Sequence, residues 1–326
     1  MFTLQQCQEI FNTALLREVE LLKKKPEELY LPVEYIMSSG GKRLRPSLVL
    51  MSFNLFSDDI ESAVYPALGI EFFHNFTLLH DDIMDKSPMR RNNPTVHTKW
   101  NENVAILSGD AMAIIAYHYI SKCRAEFLTS VLETFSQSAL KVCEGQQYDM
   151  NFETLQDVSE ADYLKMIELK TAVLIATSLK TGAILGGAKT QEANTLYDFG
   201  KNLGLAFQLQ DDLLDVFGNS EVFGKPIGAD IIANKKTYLM IKALSVARDN
   251  DLAELKQTLS NKYSGHAEKI KTITGLYHKL NIQKYTAGKI KCYYDNALQC
   301  LESVNSGART KEYLRSVAEM LMHRER

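Results

Sequence analysis

Apolar residues recur at intervals of three and four along most of the chain, which is the spacing of one face of an α-helix. One such series runs from Ile70 through Phe73 to Phe76. Another contains Leu203 and Phe207. These series predict helices that bury one face against the rest of the protein.

The pattern predicts an all-α fold. Residues 172–185 are apolar on most faces, which is typical of a helix in the middle of a bundle. Residues 101–225 contain no proline, and strand signals are weak throughout. A chain of 326 residues could form two domains, but no linker separates two parts. We therefore expect a single domain over residues 1–326, a bundle of about ten or more helices around a central active-site cavity.

Composition narrows the classes of function. The chain has 37 basic and 40 acidic residues, a balance that does not predict binding to nucleic acid. No apolar run approaches the roughly 18 residues of a membrane span, and the N-terminus lacks the apolar core of a signal peptide. The five cysteines include no Cys-x-x-Cys pair, so we expect buried free thiols and a cytoplasmic protein.

The first candidate for chemistry is Asp-Asp-Ile-Met-Asp at residues 81–85, directly after an apolar helical run. On a helix the first and last of these aspartates are one turn apart and share a face. Three carboxylates at the end of a helix repel one another and the helix dipole, so the cluster is costly unless cations bind there. Mg²⁺ suits such hard oxygen ligands, especially when a substrate phosphate completes its coordination.

A second motif of the same spacing, Asp-Asp-Leu-Leu-Asp, occupies residues 211–215 and also follows an apolar helical run. Enough chain separates the two motifs for several helices, which would let the motifs face each other across a bundle. One such motif could simply be a solvated acidic helix end, but two copies on apolar helices make that interpretation weaker. Neither motif has the ligand spacing of a calcium-binding EF-hand.

Basic clusters lie near both motifs. The first is Ser-Gly-Gly-Lys-Arg-Leu-Arg-Pro at residues 39–46, which lacks the spacing of a P-loop. The second is Arg90 with Arg91, and the third is Lys225 with Lys235. Each cluster alone could be a solvated surface, but beside the aspartates they predict binding of a diphosphate.

These residues together resemble the trans-isoprenyl diphosphate synthases, the family of farnesyl and geranylgeranyl diphosphate synthases. The resemblance extends from about residue 40 to residue 236 and keeps the order of the family's motifs. The matching elements are residues 40–46, His74, residues 81–85, Arg90-Arg91, Pro94-Thr95, Gly109-Asp110, Gly145-Gln146, Asp149, Lys170-Thr171, Phe207-Gln208, residues 211–215, Gly224-Lys225, Gly228, Asp230, Lys235 and Thr237.

The resemblance implies a role for each matching residue. The isopentenyl diphosphate would be held by Lys42, Arg45, His74 and Arg91. The allylic diphosphate (dimethylallyl, geranyl or farnesyl) would be held by Arg90, Lys170, Lys225 and Lys235. Three Mg²⁺ ions, which Mn²⁺ can replace, would be bound by Asp81, Asp85 and Asp211. The remaining aspartates, Asp82, Asp212 and Asp215, would be supporting ligands or would hold the ligands in place. The catalytic residues would be Lys170, Thr171, Gln208 and Lys225, with Gln208 and Thr171 lining the reaction site.

One position departs from the family's pattern. The family usually has glycine two residues after the first arginine of its Arg-Arg pair, whereas this chain has Asn92. Asparagine tolerates the turn conformations that glycine favours, so we expect a small effect.

The helix before the first motif would also set the length of the product. Phe76 lies five positions before Asp81, about 7.5 Å along the helix axis, and Phe73 lies deeper. In the family, a single aromatic residue at the fifth position before the first motif is typical of geranylgeranyl synthases. This chain has that pattern, because Phe76 is at the fifth position and the small Thr77 is at the fourth. We therefore expect a C20 product, with C15 as the alternative. Phe73 and Phe76 could also be ordinary core residues.

Two other functions remain as alternatives. A class I terpene cyclase would share the fold, but it would not require Lys42, Arg45 and His74. A non-catalytic regulatory subunit typically loses an aspartate motif, and both motifs are intact. The family commonly forms homodimers, for which residues 104–120 are our candidate interface. The C-terminal Arg324 and Arg326 could close the site over substrate, or they could form a frayed basic tail.

Overall fold

The computed structural model describes residues 2–218, 228–260, 265–305 and 308–323. It confirms the all-α fold, because helices account for nearly all regular structure in these residues. The described strands are β1 (Met89–Arg90) and β2 (Asn93–Pro94), which pair as a small antiparallel hairpin. Within the described residues, no helix is both long and apolar enough to cross a bilayer.

The chain divides into two compact units. The segments of the first unit are Met1–Ser138, Leu174–Tyr197 and Val304–Leu314, and those of the second are Ala139–Val173, Asp198–Ser303 and Arg315–Arg326. The single domain predicted from the sequence stays a prediction.

Most helices of the first unit come from the N-terminal part of the chain. They are α1 (Leu4–Leu21), α2 (Glu27–Ser38), α3 (Leu44–Phe53), α4 (Val64–Met84), α5 (Val96–Lys99) and α6 (Glu102–Ile120). A 3₁₀ turn, Ile60–Ala63, precedes α4. The helix α9 (Val173–Leu185) follows later in the chain and supplies a further segment of this unit.

Local sequence signals explain where some of these helices begin. Thr3 and Gln6 form a reciprocal capping box at the start of α1. The side chain of Asn101 accepts a hydrogen bond from the backbone N–H of Val104 and caps α6. The core of the unit contains the buried face of α4, where the rings of Phe73 and Phe135 meet edge to face at 5.2 Å.

Other helices have residues in both units, as α9 does through Val173. They are α7 (Ala125–Thr154), α10 (Thr190–Phe217) and α16 (Ala308–Met322).

The remaining elements belong to the second unit. They are α8 (Glu160–Ile167), a π-helical turn (Glu168–Ala172), α11 (Ala229–Ile232), α12 (Tyr238–Val246), α13 (Asp249–Ser260), α14 (His266–Lys279) and α15 (Ile282–Ser303). Ser159 and Asp162 form the capping box that starts α8. Part of the unit's core is a cluster that contains Tyr163 of α8 and Leu205 and Leu209 of α10.

The cysteines are free, but they are not all buried. Cys7 and Cys123 are buried, whereas Cys143 and Cys292 are exposed. The prediction of buried thiols is therefore wrong for these two, since each lies on the outward face of its helix, α7 or α15.

Candidate active site

The first aspartate motif lies at the C-terminal end of α4. Its helix ends at Met84, and the backbone N–H of Asp85 still donates to the carbonyl of Asp81 at 2.9 Å. These two aspartates are therefore one turn apart, as predicted. Asp81 is half-buried and Asp85 is exposed, so both carboxylates are accessible to a ligand.

The middle aspartate of this motif has a protein partner. The Nε of Arg90 lies 2.9 and 2.8 Å from the two carboxylate oxygens of Asp82. Burial raises the pKa of the Asp82 carboxyl, while the hydrogen bond and charge of Arg90 lower it. A second nitrogen of Arg90, Nη2, lies 3.7 Å from Asp81. The arginine thus connects two carboxylates of the motif.

The hairpin β1–β2 presents Arg90 and Arg91. Its two turn residues, Arg91 and Asn92, have φ of 51° and 61°, the left-handed conformation that asparagine tolerates well. Asn92 thus adopts a conformation that glycine favours, and the small effect expected of asparagine here stays a prediction. Arg91 adopts the same region although it has no such preference, and its guanidinium donates to the carbonyl oxygen of Gly40. This contact joins the hairpin to the glycines of residues 39–46.

The start of α3 brings two arginines to α4, with different surroundings: Arg43 is the N-cap residue and Arg45 lies in the first turn. Arg43 forms an ion pair of 2.7 Å with Glu71, and both side chains are buried. Arg45 instead contacts the imidazole of His74, with 3.1 Å between Nη1 and Nε2. Lys42 is exposed at the surface of the same segment.

Electrostatics favours a neutral His74. Burial lowers its pKa well below the ordinary value, and the positive charges of Arg45 and Arg91 lower it further. Burial also lowers the pKa of Arg45 to about 10, so its guanidinium stays charged at neutral pH. Because arginine can only donate, His74 accepts this hydrogen bond through Nε2. The Nε of Arg45 is buried and lacks a hydrogen-bond partner among the described residues.

The chain-length candidates lie on the preceding turns of α4. Phe73 is buried, and its ring centroid is 5.4 Å from that of the half-buried Phe76. The Thr77 hydroxyl donates to the carbonyl of His74 at 2.8 Å. The ring centroid of Phe76 is also 4.7 Å from that of the imidazole of His80.

A glycine on α6 makes room for His80. A Cβ at Gly109 would lie 2.3 Å from the Nε2 atom of His80, so only glycine fits here without a shift of the imidazole. The same nitrogen lies 3.2 Å from the carbonyl oxygen of Ile106. The position of Phe76 is therefore supported by a neighbour on each side.

In the second unit, the second motif lies inside α10. Asp211 is half-buried, whereas Asp212 and Asp215 are buried. Asp212 accepts hydrogen bonds from the hydroxyl of Tyr163 and, at 3.1 Å, from Nε2 of Gln208. Burial raises the pKa of Asp212 to about 7, against the effect of these two hydrogen bonds.

Asp215 anchors the backbone that follows the motif. Its carboxylate accepts from the N–H of Asp230 at 3.1 Å, and its carbonyl accepts from the N–H of Gly228 at 2.7 Å. The exposed Lys235 follows on the same segment, and its N–H donates to the carbonyl of Asp230. Lys225, the fourth predicted catalytic residue, lies outside the described residues.

Lys170 and Thr171 lie on the π-helical turn between α8 and α9. The Nζ of Lys170 is 2.6 Å from a carboxylate oxygen of Asp149. The hydroxyl of Thr171 donates to Oε1 of Gln208 at 3.1 Å, which brings two predicted catalytic residues together. A π-helical turn within a helix is frequent at functional sites.

Two glycines allow other helices to approach this turn. A Cβ at Gly145 of α7 would lie 2.3 Å from the backbone nitrogen of Lys170. A Cβ at Gly204 of α10 would lie 2.6 Å from the Cα of Ala172. The position of the turn therefore depends on both glycines.

The donor set of the two motifs fits magnesium. Carboxylate oxygens are the ligands that Mg²⁺ and Mn²⁺ prefer. Among the residues that the structure describes, no three side chains converge as a ready-made metal cluster. Mg²⁺ commonly binds through one or two carboxylates together with substrate phosphates, which is compatible with this arrangement.

Sequence patterns do not predict two residues of the site, Glu71 and Tyr163. A tyrosine at a core position of an amphipathic helix has no distinguishing signal. Asp149 belongs to the matching family elements, but the sequence does not identify Lys170 as its partner. Partners of this kind come from other elements of the fold and have no fixed spacing along the chain.

An all-α fold in which two helices each carry an Asp-Asp-x-x-Asp motif beside basic residues defines the class of isoprenyl diphosphate synthases. The model of the family described as Polyprenyl synthetase matches residues 26–277, well over half of the chain. The protein belongs to this family.

The similarity to known proteins covers nearly the whole chain. A short chain isoprenyl diphosphate synthase of Methanothermobacter thermautotrophicus is 38% identical over 92% of this chain and 91% of its own. A geranylgeranyl diphosphate synthase of Saccharolobus solfataricus is 35% identical over 98% of this chain and 97% of its own. A crystal structure of a geranylgeranyl pyrophosphate synthase superimposes with a TM-score of 0.92 at 42% identity, over 99% of both chains.

Proposed function

We propose that this protein is a short-chain trans-prenyltransferase. It condenses isopentenyl diphosphate with an allylic diphosphate (dimethylallyl, geranyl or farnesyl) and yields a C20 product, or C15 as the alternative. The observation that carries the proposal is the pairing of the first aspartate motif with Arg90, beside Arg91, Arg45 and His74. Relatives named as geranylgeranyl diphosphate synthases support the same chemistry.

Binding of the allylic diphosphate uses charge of both signs. Asp81, Asp85 and Asp211 would hold three Mg²⁺ ions, which supply positive charge to the leaving diphosphate. Direct donors to the diphosphate oxygens would be Arg90, Lys170, Lys225 and Lys235. Asp82 keeps Arg90 in place through its bond to Nε, which leaves the other end of the guanidinium for the substrate.

The isopentenyl diphosphate would bind at the other basic cluster. Lys42, Arg45, Arg91 and His74 form its proposed site. The neutral His74 accepts from Arg45 and orients its guanidinium, which has an Nε without a partner among the described residues. Arginine suits this role because its donors match the geometry of phosphate oxygens.

The reaction then proceeds by ionisation, condensation and proton loss. The bond between C1 and oxygen of the allylic diphosphate breaks, and its electron pair leaves with the diphosphate. The double bond of isopentenyl diphosphate attacks the allylic C1, which forms the new carbon–carbon bond and a tertiary cation. A proton leaves the adjacent carbon for the departed diphosphate, and the product is a longer allylic diphosphate.

Oxygen atoms of Thr171 and Gln208 would stabilise the cations. The amide oxygen of Gln208 accepts from Thr171 with one lone pair and keeps a second. A preorganised dipole directed at developing charge lowers the barrier without reorganisation. Apolar walls such as Phe76 would keep water from the cation.

The product's length would be limited by Phe76. Its half-buried ring is fixed between Phe73 and His80, so it can act as the floor for a growing chain. Thr77, four positions before Asp81, is small and would not block the growing chain there. A homodimer, for which the apolar helix α6 is the candidate interface, and a cytoplasmic location also belong to the proposal.

The two alternatives explain fewer residues. A terpene cyclase uses one diphosphate and would not require a second basic cluster at residues 42–45. A regulatory subunit would not require both motifs. The proposal accounts for both features, because condensation needs two diphosphates and ionisation needs the carboxylates.

The test is a condensation assay with purified protein, Mg²⁺, labelled isopentenyl diphosphate and each allylic primer in turn. We expect a C20 or C15 alcohol after dephosphorylation, no product with EDTA, and a rate at least about 100-fold lower for Asp81→Ala. Asp295→Ala, at an exposed position of α15, is the matched control and should retain full activity.

Each other outcome points elsewhere. Release of diphosphate with a hydrocarbon product would indicate a cyclase. No turnover with any primer would contradict the proposal and favour a regulatory subunit.

A further inference from the structure

The second unit contains a chain of hydrogen bonds that ends at the proposed reaction site. Tyr163 and Asp212 are 2% and 4% exposed, and the tyrosine hydroxyl donates to Oδ2 of the aspartate. The other carboxylate oxygen, Oδ1, accepts from Nε2 of Gln208 at 3.1 Å. Gln208 in turn accepts from Thr171 through Oε1 at 3.1 Å.

The chemistry of these groups determines which group donates and which accepts in each of these hydrogen bonds. An ionised Asp212 can only accept, so in that form the side of the Gln208 amide that faces it must be the NH₂ group, as the contact from Nε2 to Oδ1 has it. The amide oxygen must then face Thr171. If the amide were turned over, its oxygen would lie against a carboxylate oxygen, and a buried acceptor pair of this kind is strongly unfavourable.

Two donors face Asp212, and both stabilise its ionised form. The bond from Tyr163 holds one oxygen, so the carboxylate plane cannot rotate away from Gln208. A buried tyrosine hydroxyl needs an acceptor, and here the acceptor is a carboxylate that also binds Gln208. The shared carboxylate therefore links Tyr163 to Gln208.

We propose that Tyr163 and Asp212 are positioning residues, which hold the amide of Gln208 with its oxygen directed toward Thr171. This inference rests on the proposed function, in which Gln208 and Thr171 stabilise the allylic cation. It assigns Asp212 to orientation of a neighbour rather than to direct metal binding. Tyr163 acts only through Asp212 and Gln208.

The first test is Tyr163→Phe, which removes one hydroxyl and keeps the ring. We expect kcat to fall about 10-fold, while KM for both substrates and the Mg²⁺ concentration for half-maximal activity change less than about 2-fold. Tyr277→Phe is the matched control, because Tyr277 is equally buried in the same unit and its hydroxyl contacts the sulfur of Met240, at 3.7 Å, rather than a carboxylate. The control should keep the wild-type kcat.

Asp212→Asn separates positioning from metal binding. The asparagine can accept from Tyr163 with its oxygen, but its NH₂ then faces Gln208 and turns that amide over. We expect the same loss of kcat with an unchanged Mg²⁺ requirement. A rise of about 10-fold or more in the Mg²⁺ needed would identify Asp212 as a metal ligand and overturn the inference.

A double variant tests whether Tyr163 acts through Gln208. In a Gln208→Ala background, Tyr163→Phe should lower kcat by less than about 2-fold, because the group it positions is gone. An equal loss in both backgrounds would mean a general structural role and would overturn the inference.

The outcomes also distinguish this inference from the proposed function. A fully active Tyr163→Phe in an active enzyme would overturn only the positioning role. A wild-type protein that forms no prenyl product would overturn the proposed function, and the inference with it.

Discussion

His74 lies against Arg45 in a site where several positive charges converge. Its imidazole accepts from the guanidinium at 3.1 Å, and Arg91, Arg90 and Arg43 contribute further positive potential. A proton on this histidine would remove the acceptor and add a like charge. The side chain of His74 is therefore neutral in the folded state.

This arrangement predicts a dependence of stability on pH. The unfolded chain protonates His74 below a pH of about 6.5, whereas burial and the arginines lower its pKa in the folded state. At His74 the unfolded state then binds more protons, so the contribution of this residue to stability falls as pH decreases below 6.5, by at most about 1.4 kcal/mol per pH unit. The measurement is the free energy of unfolding by urea, determined at several pH values from about 7.5 to about 5.

His74→Gln provides the comparison. Glutamine retains an acceptor but does not titrate, so the variant should lose less stability over the acidic part of this range. Above pH 7 the difference between the two proteins should be constant. Equal slopes at acid pH would contradict the assignment.

At the scale of elements, the close approach of α7 to the π-helical turn depends on Gly145. A methyl group there would lie 2.3 Å from the nitrogen of Lys170 and 2.7 Å from its Cα. We expect Gly145→Ala to lower the free energy of unfolding by about 1–3 kcal/mol, because packed backbone must separate. Activity should fall as well, since Lys170 and Thr171 move with the turn.

Gly275→Ala is the control for this prediction. Gly275 lies on α14, and a Cβ there would meet nothing within 4 Å. The substitution should increase stability by up to about 1 kcal/mol through helix propensity and leave activity unchanged. Equal effects of the two substitutions would show that steric contact does not matter at Gly145.

The helix α4 carries the prediction about product length. Phe76→Ala removes the proposed floor, so the product should be longer than that of the wild type by at least one five-carbon unit. Chromatography of the dephosphorylated products measures this length. Phe72→Leu is the control, because Phe72 packs against Tyr119, 5.2 Å between ring centroids, on another side of the helix. If both variants retain the wild-type product, Phe76 is not the floor.

For the whole molecule, the exposed apolar face of α6 bears on assembly. Leu107 and Ile114, two turns apart on this helix, are 60% and 71% exposed. A contiguous apolar patch on a protein surface commonly marks an interface. The proposed homodimer would cover both side chains.

Ile114→Glu should therefore convert a dimer to a monomer, as measured by light scattering after gel filtration. A buried glutamate without a partner would destabilise the interface by several kcal/mol, roughly the cost of an uncompensated charge. Leu16→Glu is the control, because Leu16 is 72% exposed on α1 and lies outside this face. A dimer that persists in Ile114→Glu would exclude this interface.

Much of this protein could be predicted from local sequence. The apolar spacing through Phe73 and Phe76 predicted α4, and the uninterrupted segment after Asn101 predicted long helices. Both aspartate motifs lie on helices, as expected. These predictions succeed because helix formation depends on residues three and four apart.

The partners of the site residues could not be predicted in this way. Asp82 and Asp212 occupy equivalent positions in the two motifs, yet one pairs with an arginine of a hairpin and the other with a tyrosine of another helix. Arg43 and Arg45 are also near neighbours, but one is in a buried ion pair and the other contacts His74.

The sequence by itself determined the helical class, the position of both carboxylate motifs and the basic residues suited to a diphosphate. Only the tertiary structure decided which carboxylates are already engaged by protein donors, and it brought Tyr163 to Asp212 and Asp149 to Lys170. The reason is physical. A helix depends on residues three and four apart in the chain. A hydrogen-bond partner depends on how elements that are far apart in the chain pack together.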